Sequence, residues 1–161
     1  MNTATMLHKI SLCVLSAAVI SACGGSDAPA NVAAKYAGTW TSTCHADGDT
    51  IYHYQEVIAL KSTSETTLSY QGSVGTYTDS ACAGTPTDIA DYAGVITVGA
   101  AASVSGTVVD QVTVTPADQD AIKNIMVVQG GTLRVGKKDA PLDASGFPTG
   151  IDSSDSLALA S

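Results

Sequence analysis

The side chains with the most chemical potential lie in Cys44-His45-Ala46-Asp47-Gly48-Asp49, followed shortly by His53. Thiol, imidazole and carboxylate are the donor types that can share a metal ion. Their spacing, however, is neither the Asp-x-Asp-x-Asp-Gly loop of a calcium hand nor a zinc-binding histidine pair. Asp-Gly is a strong hairpin signal, so the segment reads as a polar turn, and no metal site is expected. Two carboxylates, Glu56 and Asp110, fall within alternating apolar runs. If they project into a barrel, each could bind a cation or accept a proton. A register slip of one residue would instead put both in water. Tyr52, Tyr54 and Tyr70 could line a ligand pocket together with these carboxylates, or serve as core.

Nothing in the chain reads as catalytic. There is no Gly-x-Ser-x-Gly elbow and no glycine-rich phosphate loop ahead of a helix. Away from the N-terminal segment the only histidines are His45 and His53, close together with no recognisable partner. No cofactor is expected, and the protein is not expected to be an enzyme.

The elements that must position these residues are strands. Between residues 35 and 138, short runs rich in Val, Ile, Thr and Tyr alternate with Gly, Asp, Ser and Pro, which predicts an all-β antiparallel domain. The predicted strands are Gly38 to Thr43, Thr50 to Leu60, Thr66 to Gln71, Val74 to Asp79, Ala93 to Val98, Ser103 to Thr115, Ala121 to Val128 and Thr132 to Val135. Turns are expected at Asp47-Gly48, Gly72-Ser73 and Gly130-Gly131, and Pro116 to Asp120 could turn or open a short helix capped by Asp118. In the second strand Tyr52, Tyr54, Glu56, Ile58 and Leu60 share a face; in the sixth, Val104, Val108, Asp110, Val112 and Val114 do. Eight sequential strands close most economically into a single small up-and-down β-barrel, with a β-sandwich as second choice. Residues 139–161, rich in Ser, Ala, Gly and Pro, are expected to form an irregular tail anchored by Phe147-Pro148.

Residues 1–22 read as an export signal: Lys9 is basic, Ile10 to Ile20 are apolar, and Ser21-Ala22 are small. The apolar run is shorter than the roughly 20 residues a membrane span needs. Ile20-Ser21-Ala22-Cys23 resembles the lipobox of bacterial lipoproteins, with Ile20 where that family more often has Leu. The resemblance implies lipid on Cys23, residues 23–34 as a flexible spacer, and an outer-membrane location facing the periplasm or the cell surface, since Gly24 is not Asp. Cys13 would leave with the signal and Cys23 would take lipid, so Cys44 and Cys82 remain to pair in an oxidising compartment. Closing that loop stabilises a fold by about 4 kcal/mol on chain-entropy grounds.

Charge excludes one class of partner. The chain carries a net charge of −8, and after loss of Lys9 six Lys and Arg face fifteen Asp and Glu. Such a surface repels nucleic acid and anionic lipid head groups.

Gly38-Thr39-Trp40 at the start of the first strand resembles the Gly-x-Trp motif of lipocalins and related calycin barrels. That likeness implies that Trp40 seals the closed end of a barrel, that Arg134 in the last predicted strand packs across its ring, and that an apolar ligand could be carried inside. The later Thr-Asp-Tyr motif of that family is missing. The function expected is a non-catalytic envelope lipoprotein that binds a small apolar ligand or an envelope protein. One alternative is a periplasmic inhibitor of a lysozyme-like enzyme, because Cys44 near a short first strand looks broadly similar to the membrane-bound lysozyme inhibitors, although their Ser-Gly-x-x-Tyr and Tyr-x-x-x-Lys-Gly motifs are missing. Another is a structural or adhesive surface lipoprotein.

Overall fold

The computed structural model describes residues 31–160 except Asp47 and Asp49, and only the backbone of Asp155. The export signal, Cys23 and most of the spacer therefore lie outside the described residues. After a 3-10 turn at Ala34–Tyr36 come nine strands: β1 Gly38–Ser42, β2 His45–Ala46, β3 His53–Ser62, β4 Thr67–Tyr77, β5 Asp88–Val104, β6 Thr107–Pro116, β7 Ile122–Gln129, β8 Thr132–Gly136 and β9 Ile151–Leu159. All pairs are antiparallel. Eight strands form a meander that β1 closes by pairing with both β3 and β9, while the two-residue β2 adds to β3 at the rim. The expected all-β, up-and-down barrel is the fold, and closure leaves its eight strands no free edge over their paired lengths.

The strands differ from expectation in instructive ways. Gly72-Ser73 is not a turn: β4 runs straight through it, pairing with β3 on one side and β5 on the other. The chain reverses instead at Ser105-Gly106, inside a stretch expected to be one strand, where both residues have positive φ (49° and 82°). This is the left-handed geometry that a two-residue hairpin turn requires. Gly130-Gly131 makes the expected turn between β7 and β8, with φ of 61° and 76°. Pro116 to Asp120 turns without a helix.

The tail is not irregular throughout, because β9 supplies the barrel's last strand, between β8 and β1. Its sequence, Ile-Asp-Ser-Ser-Asp-Ser-Leu-Ala-Leu, has poor strand propensity. Ladders to β8 and β1 on its two edges override that preference. Residues 137–150 drape over the outside, as expected of that segment, and Phe147 packs there with Ile151 over buried Val104, Val109 and Ile125. A bulge between Val98 and Ala101 re-phases β5. Past it, Ala102 and Val104 point to this outer cluster rather than to the lumen, an effect a bulge has by inserting extra residues on one strand.

The main core fills one end of the lumen. Tyr36, Trp40, Leu68 and Val112 are almost fully buried there. Ala33, expected to belong to the spacer, is also fully buried, so the folded unit begins a few residues before Lys35. The start of β1 and the end of β3 lie at this closed end. The opposite end carries a disulfide between Cys44, just after β1, and Cys82, in the β4–β5 loop.

Candidate functional site

The closed end is held by a polar plug. Asp110, 6% exposed, points inward from β6. The Tyr36 hydroxyl lies 2.8 Å from Asp110 Oδ2 and 3.0 Å from the Met126 carbonyl oxygen, and Lys35 Nζ lies 2.6 Å from the same Oδ2. A phenol has one proton to share between the two acceptors. Burial pushes the Tyr36 phenol well above its ordinary range, and the hydrogen bond to Asp110 and that carboxylate's charge act in the same direction. Trp40 Nε1 donates to the Tyr36 carbonyl at 2.8 Å. Asp110, expected as a ligand contact, is thus occupied in docking the N-terminal segment.

Above the plug the lumen widens into a cavity of about 210 Å³. Its wall is chiefly Ile58, Leu60, Ile96, Val114, Met126 and Leu157, with polar groups from Glu56, Tyr70, Tyr92 and Asn124. Alternation explains the wall: Glu56, Ile58 and Leu60 are successive inward positions of β3, as Tyr70 and Gly72 are of β4, and Tyr92, Gly94 and Ile96 of β5.

Space in the lumen depends on two Tyr-x-Gly segments. Tyr70-Gln71-Gly72 and Tyr92-Ala93-Gly94 run antiparallel, so Tyr70 pairs with Gly94 and Gly72 with Tyr92. Each ring lies over the glycine opposite. A Cβ at Gly72 would meet Tyr92 Cζ at 2.2 Å, and one at Gly94 would meet the Tyr70 hydroxyl at 2.6 Å. The rings therefore lie close against the wall, with centroids 6.0 Å apart and planes 51° apart. The Tyr92 hydroxyl donates to Glu56 Oε1. Burial alone pushes the Tyr70 phenol upward, which keeps it a neutral hydroxyl. Asn124 is locked by its Oδ1, which accepts from the backbone N–H groups of Ile125 and Gly136 at 2.8 and 3.0 Å.

The residues expected to form a site are only partly brought together. Glu56 and Tyr70 share the cavity. Tyr54 is on the inward face but nearer the rim, its ring 6.3 Å from that of His45. Tyr52 lies before β3 and is 43% exposed, so it does not line the lumen. Arg134 does not reach Trp40: its neighbours Leu133 and Val135 line the cavity, so alternation turns Arg134 to the outer side. The cations over aromatic rings among the described residues are Lys35 over Tyr36 and Lys123 over Phe147. Tyr92, which sequence reasoning left outside the strands, completes the polar corner, and the repeated Tyr-x-Gly was the signal for it. No three His, Cys, Asp or Glu side chains among the described residues could hold a metal ion together.

The arrangement can surround a compact apolar body and offer it a polar corner at Glu56, Tyr70 and Tyr92, with Asn124 on another part of the wall. Comparisons with known protein families, with curated proteins and with solved structures return no match.

Proposed function

We propose that this chain is a cell-envelope lipoprotein, tethered to the outer membrane through lipid on Cys23, whose barrel binds a small, mostly apolar molecule and performs no catalysis. The observation that carries the binding role is the 210 Å³ cavity with a chiefly apolar wall, a polar corner at Glu56, Tyr70 and Tyr92, and Asn124 on β7. An apolar cavity of about 150 Å³ is enough to hold benzene, so this one suits a single ring with a short substituent. It lies below the roughly 300 Å³ at which sites for drug-sized ligands begin, which argues against long acyl chains. The lipobox likeness at Ile20-Ser21-Ala22-Cys23 supports the tether.

The test uses the chain from Gly24 onward, which keeps every strand of the closed barrel, titrated with benzyl alcohol and followed by amide shifts. Saturable one-to-one binding is expected, with the largest changes at Tyr70, Tyr92 and Ile96, and its loss in Val114→Phe, which fills the lumen. If neither neutral nor charged single-ring probes bind, the reading fails. Growth of the full chain with an alkyne-labelled fatty acid should label it, and Cys23→Ala should abolish the label.

A further inference from the structure

We infer that the cavity selects a compact monocation, an apolar amine or quaternary ammonium, with Glu56 as its counter-charge and Tyr70 and Tyr92 as its aromatic walls. This rests on the binding role proposed above and names the ligand's chemical class.

Three observations converge. First, the charged side chain in the cavity wall is a carboxylate, and no Lys, Arg or His lines the cavity. Tyr92 holds one of its oxygens, Oε1. A carboxylate has about four acceptor sites, so that bond fixes the orientation of Glu56 and leaves acceptor capacity for an N–H donor. Second, two phenol rings flank the same corner at a centroid separation of 6.0 Å, tilted by 51°. Ring faces attract cations, and more so where water is displaced. The reciprocal glycines keep both rings against the wall, so their surfaces border the empty volume instead of filling it. Third, the chain's net charge of −8 favours approach of cations over anions. A carboxylate ligand would meet Glu56 directly, and like charges in a low-dielectric pocket oppose binding. A neutral ligand would leave Glu56 without the charge-assisted bond that an ammonium forms.

The experiment compares benzylamine, benzyl alcohol and benzoate, three probes of nearly equal size, by calorimetry at neutral pH and low salt, on the chain from Gly24 onward and on Glu56→Gln. Glutamine keeps an oxygen for Tyr92 and removes the charge. Benzylamine is expected to bind about 10-fold or more tightly than benzyl alcohol, benzoate most weakly, and the preference is expected to collapse to within about 3-fold in Glu56→Gln. Equal or tighter binding of benzyl alcohol by the unaltered protein overturns the cation assignment and leaves the binding role standing. An amine preference that persists in folded Glu56→Gln also overturns it. Absence of binding by all three removes both readings. The wild-type ratio alone decides the matter if the variant does not fold.

Discussion

Replacing either lumen glycine with alanine should damage the barrel, and the two replacements should not be equal. The atoms nearest a Cβ at Gly72 belong to the far end of the Tyr92 side chain, at 2.2–2.5 Å. That ring can rotate into the cavity at the cost of its bond to Glu56, about 1 kcal/mol. The off-rotamer ring adds about 0.5–1.5 kcal/mol of strain, and against that sum stands the usual gain of about 0.4–1 kcal/mol from a stiffer unfolded chain. The net expected loss for Gly72→Ala is about 1 kcal/mol. At Gly94 the new Cβ lies 2.3 Å from the Thr115 carbonyl oxygen, part of the β6 backbone, as well as 2.6 Å from the Tyr70 hydroxyl. Relief there requires β5 and β6 to part near Pro116, so Gly94→Ala is expected to lose about 3 kcal/mol, the upper part of the range for overpacked cores. Urea unfolding monitored by circular dichroism measures both, and unchanged m-values would show that stability alone has moved. A Gly94→Ala as mild as Gly72→Ala, or two losses below about 0.5 kcal/mol, would refute the idea that these glycines hold the tyrosine rings against the wall.

Two further outcomes test the ends of the barrel. The Tyr36 and Tyr70 phenols keep their protons in the folded state above the ordinary value of 10.0, whereas unfolded phenols lose theirs there. Stability should therefore be constant with respect to these groups below about pH 10 and fall above it, by up to about 1.4 kcal/mol per pH unit for each tyrosine. Tyr36→Phe should reduce that slope while costing about 1–2 kcal/mol at neutral pH, and urea midpoints near pH 9 and pH 11 that move in parallel for both proteins would contradict this. At the other end, reduction of Cys44–Cys82, which spans 38 residues, should lower stability by about 4 kcal/mol on chain-entropy grounds. A loss under about 1 kcal/mol in reductant would mean that the loop is ordered without the bond.

Much of the architecture was legible because it depends on local pattern. Val, Ile and Thr alternation marked most strands, and cysteine counting paired Cys44 with Cys82. What stayed hidden depends on partners distant in sequence. The Ser and Asp content of β9 carries no strand signal, and only two neighbouring edges make it one. Gly72-Ser73 has turn chemistry, yet it lies mid-strand, paired to β3 and β5 on its two edges, with Tyr92 in the space above the glycine. Alternation put Glu56 and Asp110 among apolar neighbours without deciding whether those faces turned inward, and it gave no sign of Asp110's partner, since Tyr36 is 74 residues away. Arg134 was misassigned because a motif likeness says nothing about which side of a strand a residue faces.

The chain reaches the barrel through Ala33 to Tyr36, at the pole opposite the Cys44–Cys82 bond. Eight residues separate Cys23 from Val32, a leash of at most about 30 Å when fully extended. On the proposed lipid anchor at Cys23, the tether would join the barrel at its plugged base, the pole away from the rim. A guest entering at the rim would then arrive by diffusion through water and not by lateral transfer from the lipid. On the proposed anchor and ligand, that route would suit a soluble ammonium compound better than a membrane-partitioned one, and the protein would sample the surrounding fluid instead of extracting from the membrane beneath it.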